Sequence, residues 1–140
     1  MSIKLKGDFG KLRDWKRRFG GAAVDQAKRA VLANVGEEVL ELIAEGFAKE
    51  QAPSGRSWAP LKVRAGRILQ DTGRLRSSFH RKAISSVSVT IGPGVTYARF
   101  HQDGTRRMVA RPMVPDGKLP QKWSIRIERV AKEALADAFG

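Results

Sequence analysis

Residues 22–49 read AAVDQAKRAVLANVGEEVLELIAEGFAK, and their spacing decides the fold. Val24, Ala27, Val31, Leu32, Val35, Val39, Leu42, Ile43 and Phe47 recur at helical intervals and share one broad stripe. Gln26, Asn34, Glu37, Glu38, Glu41 and Glu45 fall opposite. The pattern predicts an amphipathic helix over 22–50 with an acidic outer face at Glu37, Glu41 and Glu45. That face is either a solvated surface or a docking face for the basic part of a neighbouring copy. Pro53 disfavours helical geometry before it and Gly55 suits a turn, so Ala52-Pro53-Ser54-Gly55 stops the helix.

Upstream of this helix, Ile3 and Leu5 alternate with polar residues over 2–6, the period of a short strand. Asp8 is placed to cap a helix reaching Phe19, with Phe9, Leu12, Trp15 and Phe19 at helical spacing, before Gly20-Gly21 breaks it. Downstream, Trp58 and Leu61 anchor a loop to the body. Thr72 is positioned to cap a short helix over 73–79 that turns Leu75 and Phe79 inward. Val87, Val89 and Ile91 alternate with Ser86, Ser88 and Thr90, and with Ala83-Ile84 they read as a pair of half-buried strands. A second short helix over 96–102 carries Tyr97 and ends at Gly104, with His101 expected to close the Tyr97 turn by a hydrogen bond. The segment 105–118 reads as a flexible arm containing a strand-like stretch. Pro120 then opens a helix whose stripe is Trp123, Ile127, Val130, Ala134 and Ala138.

Together these elements predict one α+β domain over 1–140. A small, mainly antiparallel sheet from 2–6, 81–84, 87–92 and a strand at 106–110 packs against the long helix of the N-terminal half and the C-terminal helix at 120–138.

The net charge of +13 is concentrated in the middle of the chain, where residues 52–112 carry 12 basic residues against 2 acidic ones. Such a field favours anionic partners through a long-range attraction that salt weakens. Arg64, Arg67, Arg74, Arg76, Arg81, Lys82, Arg99, Arg106, Arg107 and Arg111 could track phosphates. A basic DNA-binding module is therefore one reading. Against it, no helix-turn-helix, zinc finger or aromatic stacking platform is recognisable. No apolar run reaches the roughly 20 residues of a membrane span, so neither a membrane nor a compartment other than the cytoplasm is expected.

Catalytic chemistry has few candidates. Ser77, Ser78, His80, His101, Asp71 and Asp103 do not stand in a G-x-S-x-G elbow or a comparable nucleophile context. There is no cysteine, and His101 with Asp103 lacks a third ligand nearby. The glycines at 92 and 94 lack the G-x-x-x-x-G-K phosphate loop. No catalytic, metal or cofactor site is expected.

Four blocks in order, FAKEQAPSGRSWAPL at 47–61, ILQDTGRLRSSF at 68–79, TYARFHQDGT at 96–105 and ARPMVP at 110–115, resemble the phage virion morphogenesis family, tail completion proteins of Mu-like phages and prophages. Met113 stands where such proteins often carry an aromatic residue. The resemblance implies a non-enzymatic structural component of the virion, made in the host cytoplasm, acting in tail completion or head-tail joining. It brings no catalytic residues with it. It implies contact with other tail or neck proteins, and the basic centre, the acidic helix face and the arginine-rich arm suit a homo-oligomer that docks head to tail in a ring. On this reading Arg74, Arg76, Arg99, Arg106, Arg107 and Arg111, with Glu37, Glu41 and Glu45, are the assembly contacts. Trp58, Leu61, Leu75, Phe79 and Tyr97 are the anchors that hold them in place.

Overall fold

A computed structural model describes residues 2–7, 17–18, 20–62, 66, 68–69 and 73–139. The helix expected over 8–19 lies outside these residues apart from 17 and 18, as do the Thr72 cap and most of 63–72.

The long helix, α1, spans Gly21–Lys49. Its inward stripe is the one set out by the sequence: Val24, Val31, Leu32, Val35, Val39, Leu42, Ile43 and Phe47 are all buried. Each such side chain contributes about 1.5–3 kcal/mol relative to leaving it in water. The helix ends in a left-handed residue, Glu50 at φ 54°, and Gln51 N–H donates back to Gly46 O at 2.9 Å. That geometry satisfies a last-turn carbonyl at the cost of placing a non-glycine residue at positive φ. The next residues form a tight hairpin, with Ala52 N–H donating to Arg56 O and Gln51 bridged to Ser57. Trp58 N–H then donates to Glu50 O, which returns Trp58 to the body beside Phe47.

Three strands form one antiparallel sheet in the order β1-β3-β2: β1 at Ile3–Lys6, β2 at His80–Ile84 and β3 at Ser88–Gly92. The alternation in β3 is realised, with Val89 and Ile91 fully buried beneath α1. Register pairs Ile3 with Ile91 and Leu5 with Val89, so β1 adds its apolar face to the same layer. Gly36 marks the closest approach of helix and sheet. A Cβ there would lie 3.2 Å from Val89 Cγ2 and 3.3 Å from Ile91 Cδ1. Pairing between β2 and β3 is irregular between Arg81 and Ala83, a bulge that makes Lys82 the extra residue.

Two short helices form near the expected positions, α2 at Arg74–Ser77 inside the expected 73–79 and α3 at Ala98–Asp103, which starts two residues later and ends one residue later than expected. The final helix, α4 at Gln121–Phe139, packs on α1 through Trp123, Ile127 and Ala134. The architecture is thus α+β, with one sheet face under α1 and α1 covered in turn by α4.

The fourth strand expected at 106–110 does not form. Thr105 and Met108 exchange backbone hydrogen bonds, and the Thr105 hydroxyl accepts from Arg107 N–H and Met108 N–H. Those groups are spent on a local turn, leaving no ladder for a strand. The middle of the segment expected as an arm is pinned to the body. Met113 and Val114 are buried, and Gln102 links to both.

Candidate assembly surface

The arginines of the central segment divide into two groups. Arg74 and Arg76 stand exposed on α2, Arg99 on α3, and Arg106 and Arg107 on the 105–108 turn. The Arg99 guanidinium lies 5.1 Å from the centre of the Phe100 ring, within cation–π range. Phe100 is itself one of the few large apolar side chains left exposed.

Arg111 turns inward instead. Its Nε donates to Ala59 O at 2.9 Å and its Nη2 to Pro60 O at 3.0 Å, while its backbone N–H donates to His101 O at 2.7 Å. Trp58 Nε1 donates to Pro112 O at 2.8 Å from the opposite side. Together these bonds staple the 58–60 loop to the 111–112 strap, so the fork that might have met a partner is committed to two carbonyls within the chain.

The expected anchors gather around the end of α1. Phe47 meets Trp58 edge-on at 5.4 Å between centroids and Phe79 at 6.0 Å. Each such pair contributes about 0.5–1.5 kcal/mol beyond its burial. Leu75 is buried, and Leu61, Phe79 and Tyr97 pack half-buried against the same core. Tyr97 touches the His101 ring edge-on at 6.0 Å. His101 does not close the turn through a hydrogen bond as expected, because its Nδ1 is buried with no partner among the described residues. Burial, and then the nearby Arg111 charge, lower its pKa below the ordinary imidazole value. Both effects favour the neutral imidazole.

Of the acidic face of α1, Glu37 is exposed, but Glu38 and Glu45 face α4. Arg126 lies among them: its Nε donates to Glu38 Oε1 at 2.7 Å, its Nη1 donates to Glu45 Oε2, and its Nη2 lies 3.8 Å from Glu41. Burial would lower the Arg126 pKa, but the hydrogen bonds and charges of Glu45 and Glu38 outweigh it and raise the pKa further above its ordinary value. Glu45, although paired with Arg126, keeps 40% of its side chain exposed. The helix periodicity identified its side of α1, but α4 covers part of that side. Glu41 remains largely open.

Sequence reasoning left two features out. Lys4 and Lys6 alternate with Ile3 and Leu5, so the sheet face turned away from α1 carries both lysines, together with Ser88 and Thr90, their partners in register. The signal was the same period-two pattern that identified the strand. Beside this face, a concavity of about 430 Å³ is bounded by Ser2, His80, Lys82, Gly94, Thr96 and Arg99. His80 Nδ1 lies 2.8 Å from Ser78 O and donates to it, which leaves Nε2 as the free ring nitrogen. Ser78 Oγ donates to Leu75 O at 2.7 Å, so neither side chain of that pair is arranged as nucleophile and base. No helix among the described residues is long and apolar enough to cross a membrane.

Comparison with protein families matches residues 8–139 to the phage virion morphogenesis family. No curated protein and no solved structure matches the chain.

Proposed function

The chain belongs to the phage virion morphogenesis family, and from that premise we propose that it is a structural subunit of tail completion or head-tail joining. It acts in the virion and, during assembly, in the host cytoplasm. On this reading it self-associates head to tail into a ring, one surface of each copy meeting a different surface of the next. It also docks to other tail or neck proteins. The carrying observation is that the family match runs through nearly the whole described fold rather than one motif. The exposure of Arg74, Arg76, Arg99, Arg106 and Arg107 on short helices and a turn supports it, because charges at an interface rim govern encounter and orientation. Of the acidic contacts expected on α1, Glu37 and Glu41 are the more exposed, while Arg111 and Glu45 also bond within the subunit.

Deleting the gene from its phage tests the reading. Heads and tails should accumulate unjoined or with incomplete tails. Normal-length tails joined to full heads would reject it.

A second reading, direct DNA binding, is favoured by one observation, the lysine-bearing sheet face. Titration with duplex DNA across salt separates the two. Salt-sensitive binding that disappears when Lys4 and Lys6, together with Arg74, Arg76, Arg106 and Arg107, are neutralised would favour DNA, and no binding at low salt removes it.

A further inference from the structure

Among the described residues, β2 pairs only with β3, so its outer edge presents unpaired backbone donors and acceptors. Such an edge is a template for another strand unless it is blocked. His80, Arg81, Lys82 and Ala83 are all exposed along it. Register places Arg81 opposite Ile91, on the α1 side of the sheet, and His80 opposite Gly92, on the open side. Lys82 lies with His80, since its stem passes close to Gly92 and both line the concavity that Arg99 closes. None of the residues bounding that concavity is acidic. The edge therefore carries positive charge on both faces.

We propose that the outer edge of β2 accepts an extended acidic segment of another protein as a fourth strand. The inference rests on the docking role proposed above and names the partner's chemistry. Backbone groups along the edge would supply the pairing, and carboxylates at alternate positions would meet either His80, Lys82 and Arg99 or Arg81. Slipping such a strand by one residue moves its side chains to the other face, yet it still meets a cation there.

A second copy of this chain does not fit. Its β1 edge, unpaired among the described residues, carries Lys4 and Lys6, and like charges directly opposite destabilise strand pairs. Its densest acidic run, Glu37 to Glu45, lies on α1 and is helical. Nucleic acid fits less well than a polypeptide, because an open strand edge offers backbone pairing that only another peptide backbone completes. The basic residues thus act selectively, rejecting the edges of sister subunits while admitting an acidic strand.

The test uses the intact protein and a fluorescent peptide of alternating Glu and Thr, with an alternating Lys and Thr peptide and a duplex DNA oligomer as comparisons. Anisotropy should show saturable binding of the Glu peptide alone, weakening as salt rises. Hydrogen exchange on the wild-type protein should show new protection of amides within 80–84. Arg81→Glu with Lys82→Glu should reduce affinity by about tenfold or more. Three results would overturn the proposal: no binding at low salt, protection located elsewhere, or DNA displacing the peptide and protecting the same amides. Because the exchange measurement needs no variant, a misfolded double mutant does not rescue the idea. If the peptide fails while gene deletion still blocks virion assembly, only this inference falls.

Discussion

Gln102 is buried on α3, yet its side-chain amide makes three hydrogen bonds to the 113–114 strap. Its Nε2 donates to Val114 O at 2.8 Å, and its Oε1 accepts from Met113 N–H at 2.7 Å and Val114 N–H at 3.2 Å. Replacing it with leucine keeps the volume roughly constant but strands two amides and a carbonyl. Since each buried orphan group costs about 1–3 kcal/mol, Gln102→Leu should lose about 3 kcal/mol in urea denaturation, and a loss under 1 kcal/mol would mean the strap is not held this way. Neighbouring His101 gives a pH signature. Burial and Arg111 lower its pKa in the folded state below the ordinary 6.5, so below that value the unfolded chain binds a proton that the folded chain resists. The stability tied to this group is complete above pH 6.5 and falls as pH drops toward the lowered folded value. Denaturation midpoints of the wild type should therefore fall more steeply than those of His101→Phe between neutral pH and pH 5. Parallel curves would rule out this coupling. Neither residue's role was visible in the sequence. Gln102 looks like any polar residue of a short helix, and what defines it is a strap eleven and twelve residues later.

Among the elements, periodicity recovered what depends on which face is apolar. Val31, Val35, Val39 and Leu42 define the inner face of α1, and Val89 and Ile91 that of β3, because burial repeats locally with the period of the backbone. Polar pairing has no such period. Arg126 reaches Glu38 and Glu45 across 88 and 81 positions, and Arg111 reaches Ala59 across 52. Periodicity alone therefore predicts an open acidic face and a flexible arm, whereas these long-range bonds tie part of each to the body. Removing Arg126 exposes the difference. Arg126→Met leaves Glu38, only 11% exposed, without its counter-ion. The loss should be about 2 kcal/mol, less than for a fully buried pair because Glu45 remains 40% exposed. Adding Glu38→Gln should recover much of it, and simple additivity in that double-mutant cycle would disprove the coupling. The helix–sheet contact makes a separate prediction at Gly36. A valine branch there enters space already held by Val89 and Ile91, so Gly36→Val should cost about 1–3 kcal/mol by overpacking. An unchanged melting temperature would show that α1 can slide off the sheet at no cost.

At the scale of the whole molecule, net charge governs how copies would meet in the proposed ring. Each chain carries +13, so two copies repel before any specific surface comes into play, and that repulsion extends over about a Debye length, roughly 10 Å at 0.1 M salt. If the ring were closed mainly by basic loops pairing with the acidic side of α1, salt would dissolve it. However, Arg126 already neutralises part of that side from within the subunit. In the proposed ring, the exposed apolar residues Val87, Phe100, Val109 and Ile125 would then supply the short-range contacts, insensitive to screening. Self-association should therefore strengthen as sodium chloride is raised from low to moderate concentration, whereas capture of an acidic partner should weaken over the same range. Sedimentation velocity of the purified protein across that series measures the first. A sedimentation coefficient that falls with salt would show that opposite charges, rather than apolar contacts relieved of repulsion, hold the copies together. In the predicted case, Phe100→Ser should reduce the high-salt assembly without altering the melting temperature by more than about 1–2 °C, since an exposed side chain contributes little to the monomer fold.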